Sequence, residues 1–284
     1  MAEKTYLKSP MNYIGGKYRI LPQILRFFPR RPERFADLFA GGLDVAINVP
    51  AQQVYCNDIN RYVIGIYQAF QERTLPELLA EIEAVIARYA LSETNQDGYL
   101  RLREEYNRTR RPIDLYVLIC HSFNYQIRFN ASHEYNNPFG RNRSWFNPRM
   151  RENLIRFHGA IRDFHFSAQN FRDFDTDFLR PGDFLYADPP YRISTGSYND
   201  GKRGFEGWST DDDLALFDLL DRLDRQGVRF ALSNVSEHHG RRNQELITWK
   251  RRYHTHRIAC DYNNSNYQST GKENRTREIL VTNY

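Results

Sequence analysis

The chain is poor in cysteine, in long apolar runs and in metal-ligand spacings. Its 284 residues include three cysteines, Cys56, Cys120 and Cys260, and none forms a C-x-x-C pair. That set argues against a disulfide framework and against a thiolate zinc site. The histidine pairs His238-His239 and His254/His256 have no carboxylate or thiolate at ligand spacing, so no metal is expected. No apolar run approaches the roughly 20 residues that a membrane span needs. Residues Met1-Ala2-Glu3-Lys4-Thr5-Tyr6 lack the charged-then-apolar layout of a secretory leader. The expected location is cytoplasmic, away from membranes. The spacing of a Walker A loop and the G-x-G-x-x-G of dinucleotide enzymes are both missing, which disfavours ATP hydrolysis and nicotinamide chemistry.

What is present is a core and a basic surface. Hydrophobic residues make up 40% of the chain, and a mean hydropathy of -0.72 implies a large polar exterior. The net charge of +5 is mild, but arginines cluster at Arg26, Arg30, Arg31 and Arg34, at Arg101, Arg103, Arg108, Arg110 and Arg111, and at Arg141, Arg143, Arg149 and Arg151. Arginine suits bidentate contact with phosphates and base edges. Composition alone divides evenly between nucleic-acid binding and a solvated basic face.

No repeat or low-complexity linker divides the chain. Apolar spacing predicts a helix over 18–28, with Pro22 tolerable near its start. A strand over Arg34 to Phe39 should end in Ala40-Gly41-Gly42, followed by a helix over 43–48 and a strand over Gln53 to Cys56 that ends at Asn57-Asp58. Strand, glycine turn, helix, strand and acid in that order open a doubly wound α/β fold. Residues 60–90 read as helical. From 92 the character changes to a segment rich in Arg, Asn and Tyr, read as an inserted, mainly helical subdomain. The expected units are 1–91 as the first part of a catalytic domain, 92–160 as the insertion and 161–284 as the second part. Strands are expected at 163–168, 183–187, 228–233 and 276–282, an amphipathic helix at 212–225 and a polar loop at 192–208.

Two constellations carry chemistry. At the first, a glycine turn after a strand lets backbone approach a ligand closely. Asp58 stands where a ribose-diol acceptor belongs, its two oxygens matching two hydroxyls. A helix cap over Asp58-Ile59-Asn60 is the plain alternative. The second is Asp188-Pro189-Pro190-Tyr191, which follows the apolar run Phe184-Leu185-Tyr186-Ala187 and so lies at a strand's C-terminal end, where open α/β sheets bind ligands. An exocyclic amine on an aromatic ring is a poor nucleophile because its lone pair is delocalised. A carboxylate and a proline carbonyl that accept its hydrogens would push the nitrogen toward tetrahedral geometry and free that pair. The alternative is a rigid loop with Asp188 as a cap.

With these residues in view, the chain resembles the class D12 (Dam/DpnM-type, α-group) DNA adenine-N6 methyltransferases over nearly its whole length. Asn12-Tyr13-Ile14-Gly15-Gly16-Lys17 resembles the family's N-terminal GGK motif, and Asp37-Leu38-Phe39-Ala40-Gly41-Gly42 its cofactor loop. Asn57-Asp58-Ile59-Asn60 resembles its DxN, Asp188 to Tyr191 its DPPY, and Ile279-Leu280-Val281-Thr282-Asn283-Tyr284 its closing strand. The resemblance implies a Rossmann-like, S-adenosylmethionine-dependent methyltransferase fold of α/β class, with a mixed sheet and an inserted DNA-recognition subdomain. It implies that Tyr13, Lys17, Asp58 and Asp188 contact S-adenosylmethionine, with Asp37, Phe39, Ala40 and Gly41 forming the loop beneath it. Asp188 and Pro189 would hold the target amine, Pro190 would stiffen the turn, and Tyr191 would stack on a flipped adenine. Asn170-Phe171 falls where the family has Asp-Phe against the cofactor's adenine ring. Gly41-Gly42-Leu43-Asp44 also departs from the usual glycine pattern.

The stretch His121 to Asn130 resembles the first half of the family's target-recognition hairpin, and Tyr135 to Arg141 its second half. The implied DNA contacts are Phe123, Asn124, Gln126, Arg128, Asn130, Asn137, Pro138 and Arg141. Arg128 suits guanine O6 and N7, Asn124 and Gln126 suit base edges, and Phe123 suits a wedge in the stack. Relatives that methylate GATC commonly have leucine where Gln126 stands, so the resemblance favours adenine over any given site. Ser265 to Arg277 is expected to meet phosphates. The expected partner is double-stranded DNA, with a cognate restriction endonuclease related by shared site rather than by contact, and the expected state is a monomer. Cytosine-N4 transfer, RNA adenine transfer and a non-catalytic DNA-binding regulator are the alternatives. Cytosine-N4 enzymes usually carry Ser in place of Asp188, and a regulator would be expected to have lost the intact DPPY. Cytosine-C5 transfer needs a Pro-Cys pair, which the chain lacks.

Overall fold

The computed structural model describes residues 5–193, 207–259 and 276–284. Most of the expected 192–208 loop, Cys260 and all but the end of the expected phosphate-contacting stretch lie outside the described residues.

A mixed sheet organises the molecule. Its strands are β1 (Arg34–Asp37), β2 (Gln53–Asn57), β3 (Phe164–Ser167), β4 (Phe184–Ala187), β5 (Arg229–His238), β6 (Arg241–Arg242), β7 (His254–Ile258) and β8 (Thr276–Thr282). Their order is β3-β2-β1-β4-β5-β8-β7, with β6 beside β5. Strands β3, β2, β1, β4 and β5 are parallel, and β8 runs antiparallel between β5 and β7. From β1 the chain winds outward to β2 and β3, whereas from β4 it winds the other way to β5. The switch point therefore lies between β1 and β4, and a crevice opens at their C-terminal ends. β4 reads Phe184-Leu185-Tyr186-Ala187 and is buried throughout, as a central parallel strand covered on both faces should be.

Strand periodicity sends alternate residues to two cores. On one face Phe35, Val54, Cys56, Phe184, Tyr186, Ala231 and Leu280 pack under α1 (Leu21–Leu25), α2 (Arg61–Gln71), α3 (Leu75–Arg88), α4 (Gln96–Thr109), α5 (Pro112–His121) and α6 (Pro148–Ile161). On the other, Ala36, Leu38, Leu185, Ala187, Phe230, Leu232, Ile279 and Val281 pack under α7 (Thr210–Arg225) and α8 (Gln244–Trp249).

Several expected elements are shorter than their sequence patterns. The 18–28 helix is a 3-10 turn over Tyr18–Ile20 and the five-residue α1, because Pro22 admits only a helix start and Pro29 follows soon after. The 43–48 helix contracts to a 3-10 turn over Ala46–Asn48, since Gly41 and Leu43 both have left-handed backbone, with φ of 45° and 63°. The 60–90 helix is two helices. Thr74 and Glu77 form a capping box that restarts the chain as α3 after α2 ends at Gln71.

The 92–160 segment does contain α4, α5 and most of α6, but its apolar residues join the core of α2 and α3 without a gap. Residues 122–139 fold back on themselves through the bridges Ser122–Phe139 and Phe129–Tyr135.

Candidate active site

The glycine turn after β1 is held from two sides. Gly41 N donates to Asp58 Oδ2 at 2.8 Å and the Tyr67 hydroxyl donates to Gly41 O at 2.7 Å. Asp58 Oδ1 accepts from Asn60 N at 2.8 Å, so the carboxylate after β2 is locked by two backbone amides. Asn60 is the cap of α2 and accepts from Tyr62 N and Val63 N. The sequence left Asp58 open as ligand holder or cap, and the cap role belongs to Asn60. Tyr13 lies directly on the turn. A Cβ on Gly41 would stand 3.0 Å from the Tyr13 ring, and one on Gly42 would stand 2.9 Å from Tyr13 Cβ. These glycines therefore let the Asn12–Lys17 segment dock on the cofactor loop.

That segment carries Lys17 into the crevice. Lys17 Nζ lies 2.7 Å from Asp188 Oδ2 and donates to Gly15 O at 3.0 Å. It also stands 5.0 Å from the centre of the Tyr191 ring. The Tyr191 hydroxyl donates to Asp188 Oδ1 at 2.8 Å and lies 3.2 Å from Glu278 Oε1. Asp37 is buried at the end of β1, and its Oδ1 has no hydrogen-bond partner. Burial, reinforced by Asp188 and Asp58, pushes its carboxyl well above the ordinary value near 3.8. Burial also raises Asp188, with Glu278 adding to the rise while Lys17 and Tyr191 oppose it. Asp188 pairs with Lys17, Asp37 feels its charge, and Asp58 and Glu278 act on those two carboxyls. Acids therefore outnumber the ammonium, in a field that favours an incoming cation.

An aromatic wall stands on the other face of the sheet. Phe39 lies 5.6 Å from Phe171 and 5.5 Å from Trp208, and Phe171 lies 5.3 Å from Trp208. Asn170 Oδ1 accepts from Arg172 N at 3.0 Å, which closes a local turn and leaves Phe171 as the ring of that pair in the wall. The Trp208 indole donates to Asp213 Oδ1 at 2.8 Å. Asp213 Oδ2 accepts from Arg192 Nε at 3.0 Å and Asn243 Nδ2 at 2.9 Å, and Arg192 also pairs with Glu245. Asp213 is fully buried, and it ties the residue after Tyr191 to the aromatic wall.

The donor set fits S-adenosylmethionine. The orphaned Asp37 oxygen and the acidic cluster suit a cationic sulfonium, Asp58 suits a ribose, and the aromatic wall suits an adenine.

At the recognition loop, Phe123 is 41% exposed with the Arg143 guanidinium 5.0 Å from its ring centre. Asn124, Arg128 and Pro138 are exposed, and Gln126 is half-buried. Asn124 O accepts from Asn12 Nδ2 at 2.8 Å, which joins the loop to the GGK segment. Three expected DNA contacts are otherwise engaged. Asn137 is buried, and its amide donates to Phe123 O at 3.0 Å and Gln126 O at 3.1 Å, so it holds the loop's shape rather than facing a base. Asn130 is spent on a turn, donating to Glu134 Oε2 and accepting from Glu134 N, each at 2.9 Å. Arg141 is exposed but donates to Gln96 at 2.9 Å.

Trp208, Asp213 and Glu278 were not among the residues expected at the site, although the two acids left a trace. Asp213 sits on the apolar stripe of its helix, in phase with Leu216, Phe217 and Leu220. Glu278 stands in phase with the buried Leu280 on a strand with little exposure. A charge where the period demands an apolar residue was the signal.

The described residues contain no group of three or more His, Cys, Asp or Glu able to hold a metal ion, and no helix long and apolar enough to cross a membrane.

Comparison with known proteins agrees with this geometry. The chain is 45% identical over 282 residues to the type II methyltransferase M.FokI of Planomicrobium okeanokoites. It is 46% identical over 285 residues to the modification methylase StsI of Streptococcus sanguinis, and 35% identical over 284 residues to the modification methylase LlaI of Lactococcus lactis subsp. lactis. The matches take in 98–99% of this chain and 43% of each relative, so the chain spans less than half the length of these proteins. The description "D12 class N6 adenine-specific DNA methyltransferase" matches residues 13–276. The resemblance read from the motifs is borne out, and the chain belongs to the D12 class of N6 adenine-specific DNA methyltransferases.

Proposed function

We propose that this chain transfers a methyl group from S-adenosylmethionine to N6 of an adenine flipped out of double-stranded DNA, at a specific sequence. The observation that carries the reading is the position of Asp188. It follows the central strand β4 at the switch point, bonded to Lys17 and Tyr191, within the same acidic cluster as Asp37 and Asp58. When bound, the cofactor supplies a methyl group already activated by positive charge on sulfur. Asp188 and the Pro189 carbonyl accept the two hydrogens of the target amine and localise its lone pair, while Pro189 and Pro190 fix the backbone that aims them. Tyr191 offers a ring to stack on the base. Asp58 takes the ribose hydroxyls, Tyr13 and Lys17 close the site from the N-terminal side, and the turn Phe39-Ala40-Gly41 lies beneath the cofactor with Phe171 at its ring.

Phe123, Asn124, Gln126, Arg128 and Pro138 are exposed enough to meet the duplex, with Arg128 as the guanine reader. Asn130, Asn137 and Arg141 support that surface. The relatives named as modification methylases suggest a restriction endonuclease that shares the site without contact. A monomer acting in the cytoplasm completes the proposal.

The test incubates purified protein with radiolabelled cofactor and plasmid DNA, followed by nucleoside analysis. Label in N6-methyladenine is expected. Label in N4-methylcytosine, or in no nucleoside, would overturn the reading. Asp188→Ala should abolish transfer while duplex binding persists, and single-molecule sequencing of the methylated DNA would give the recognition site.

A further inference from the structure

Glu278 has no place in the chemistry above, yet it is buried beside it. It lies on β8 opposite Val235 of β5, and only 2% of it is exposed. Its neighbour in phase, Leu280, is core. A carboxylate at such a position costs several kcal/mol of desolvation unless it is paired, so packing alone would favour an apolar residue. Among the described groups that face it are the Tyr191 phenol, at 3.2 Å, and Asp188 beyond the phenol, with Tyr186 on β4 and Lys17 next in line. Asp37, at the end of β1, feels the Asp188 charge and so belongs to the same cluster.

Methylation of an amine has a proton to discard. The nitrogen lone pair forms the N–C bond, the C–S bond breaks with its electron pair going to sulfur, and the nitrogen is left with one hydrogen too many. Asp188 is the nearest base, but a neutral Asp188 no longer accepts from the next amine. The structure offers it an exit. Its Oδ1 meets the Tyr191 hydroxyl, and that hydroxyl has Glu278 Oε1 on its far side.

We propose that Glu278 is the terminal acceptor of the proton lost by the target amine, reached through the Tyr191 phenol. Asp188 Oδ1 takes the proton from nitrogen and passes it to the phenolic oxygen, while the phenol's own proton moves to Glu278 Oε1. Asp188 is again a carboxylate, Tyr191 is unchanged, Glu278 is neutral, and no oxidant or reductant is needed. Glu278 then releases the proton to solvent as product leaves. The inference rests on the proposed adenine-N6 transfer and adds a path for the proton.

The experiment measures single-turnover methyl transfer against pH for the unaltered protein, Glu278→Gln, Tyr191→Phe and the double variant. Infrared spectra during one turnover are recorded in parallel. Glu278→Gln should slow transfer on the order of 100-fold or more at neutral pH, in the range of a lost proton acceptor. It should keep its affinity for S-adenosylhomocysteine and duplex, and gain a dependence on buffer-base concentration that the unaltered protein lacks. The carbonyl band of a neutral buried carboxyl should appear after transfer and before product leaves in the unaltered protein, and not in Glu278→Gln. Tyr191→Phe keeps the ring but breaks the path, so the double variant should lose no more than the slower single one. Unchanged rate and pH profile in Glu278→Gln, or losses that multiply in the double variant, would overturn the inference. If Glu278→Gln does not fold, Tyr191→Phe carries the test, and a rate free of buffer-base dependence there overturns it. Failure of the unaltered protein to methylate adenine would instead refute the proposed function.

Discussion

Lys17 Nζ stands 2.7 Å from Asp188 Oδ2 and 5.0 Å from the centre of the Tyr191 ring, so one ammonium covers both the carboxylate and the aromatic face meant for the base. It is also the cation that opposes the rise of the Asp188 carboxyl. Transfer needs Asp188 ionised, so its rate should fall as pH drops through the raised value. Lys17→Ala should move that acid limb to higher pH and reduce transfer across it. A pH–rate profile under single-turnover conditions decides this, and an unmoved acid limb would refute the role given to Lys17.

Asp37→Asn should stabilise the protein at neutral pH. Folding raises this carboxyl above its ordinary value. Its favourable contribution is therefore fully present below the unfolded value, near 3.8, and lost as pH rises through the folded one. At neutral pH this raised carboxyl costs the native state stability, a cost that an uncharged amide does not carry. Thermal melts should show the variant a few degrees above the unaltered protein at pH 7, with the gap closing toward pH 4. Cofactor affinity should fall in the same variant, because the orphaned Oδ1 is lost to a ligand cation.

Gly42→Ala places a methyl 2.9 Å from Tyr13 Cβ, so the GGK segment must retreat from the cofactor loop. The expected result is a cofactor Kd raised on the order of tenfold, about 1.4 kcal/mol, with a small loss of stability. Calorimetric titration with S-adenosylhomocysteine measures it. Wild-type affinity would mean that the Tyr13 contact is dispensable.

Asp213→Ala strands three donors, the Arg192 guanidinium, the Asn243 amide and the Trp208 indole. Removing one partner from a buried charge pair costs about 3–5 kcal/mol, to be read from denaturant unfolding. Trp208→Phe removes one hydrogen bond and keeps an aromatic ring, so it should weaken the cofactor while leaving kcat near its original value.

In the recognition loop two substitutions should separate reading from scaffolding. Arg128→Ala should relax preference at one base pair by about 1–3 kcal/mol and leave the melting temperature alone. Asn137→Ala removes the side-chain donor to Phe123 O and one of the donors to Gln126 O, so it should lower stability by about 1–3 kcal/mol and weaken binding to every sequence alike. Methylation maps from single-molecule sequencing, with melts alongside, distinguish the two outcomes.

The division between what was legible and what was not follows the range of the interactions. β4 and the turn after it were readable because a continuous apolar run ending in Asp-Pro-Pro is a local signature. The Asp58 anchor was readable because its strand, turn and acid lie within about 20 residues. The break in the 60–90 helix was also local, written as Thr74-Leu75-Pro76-Glu77, but an uninterrupted apolar period masked it. Asn137 and Asn130 were misjudged because an amide has the same chemistry whether it faces a base or a carbonyl, and only burial tells them apart. Asp213 and Glu278 were beyond reach for another reason. Arg192 lies 21 residues from Asp213 and Tyr191 87 residues from Glu278, and no local pattern says that either pair will meet.

The sheet order has a further consequence in time. Asp37 comes from the first strand made and Glu278 from the last, and β8 enters between β5 and β7, which are both made before it. Pairings this distant along the chain close slowly. During synthesis, the carboxylate cluster has no complete form until residues 276–282 have joined the sheet. Methyl transfer should therefore wait on the entry of β8, making enzymatic activity a direct clock for that pairing.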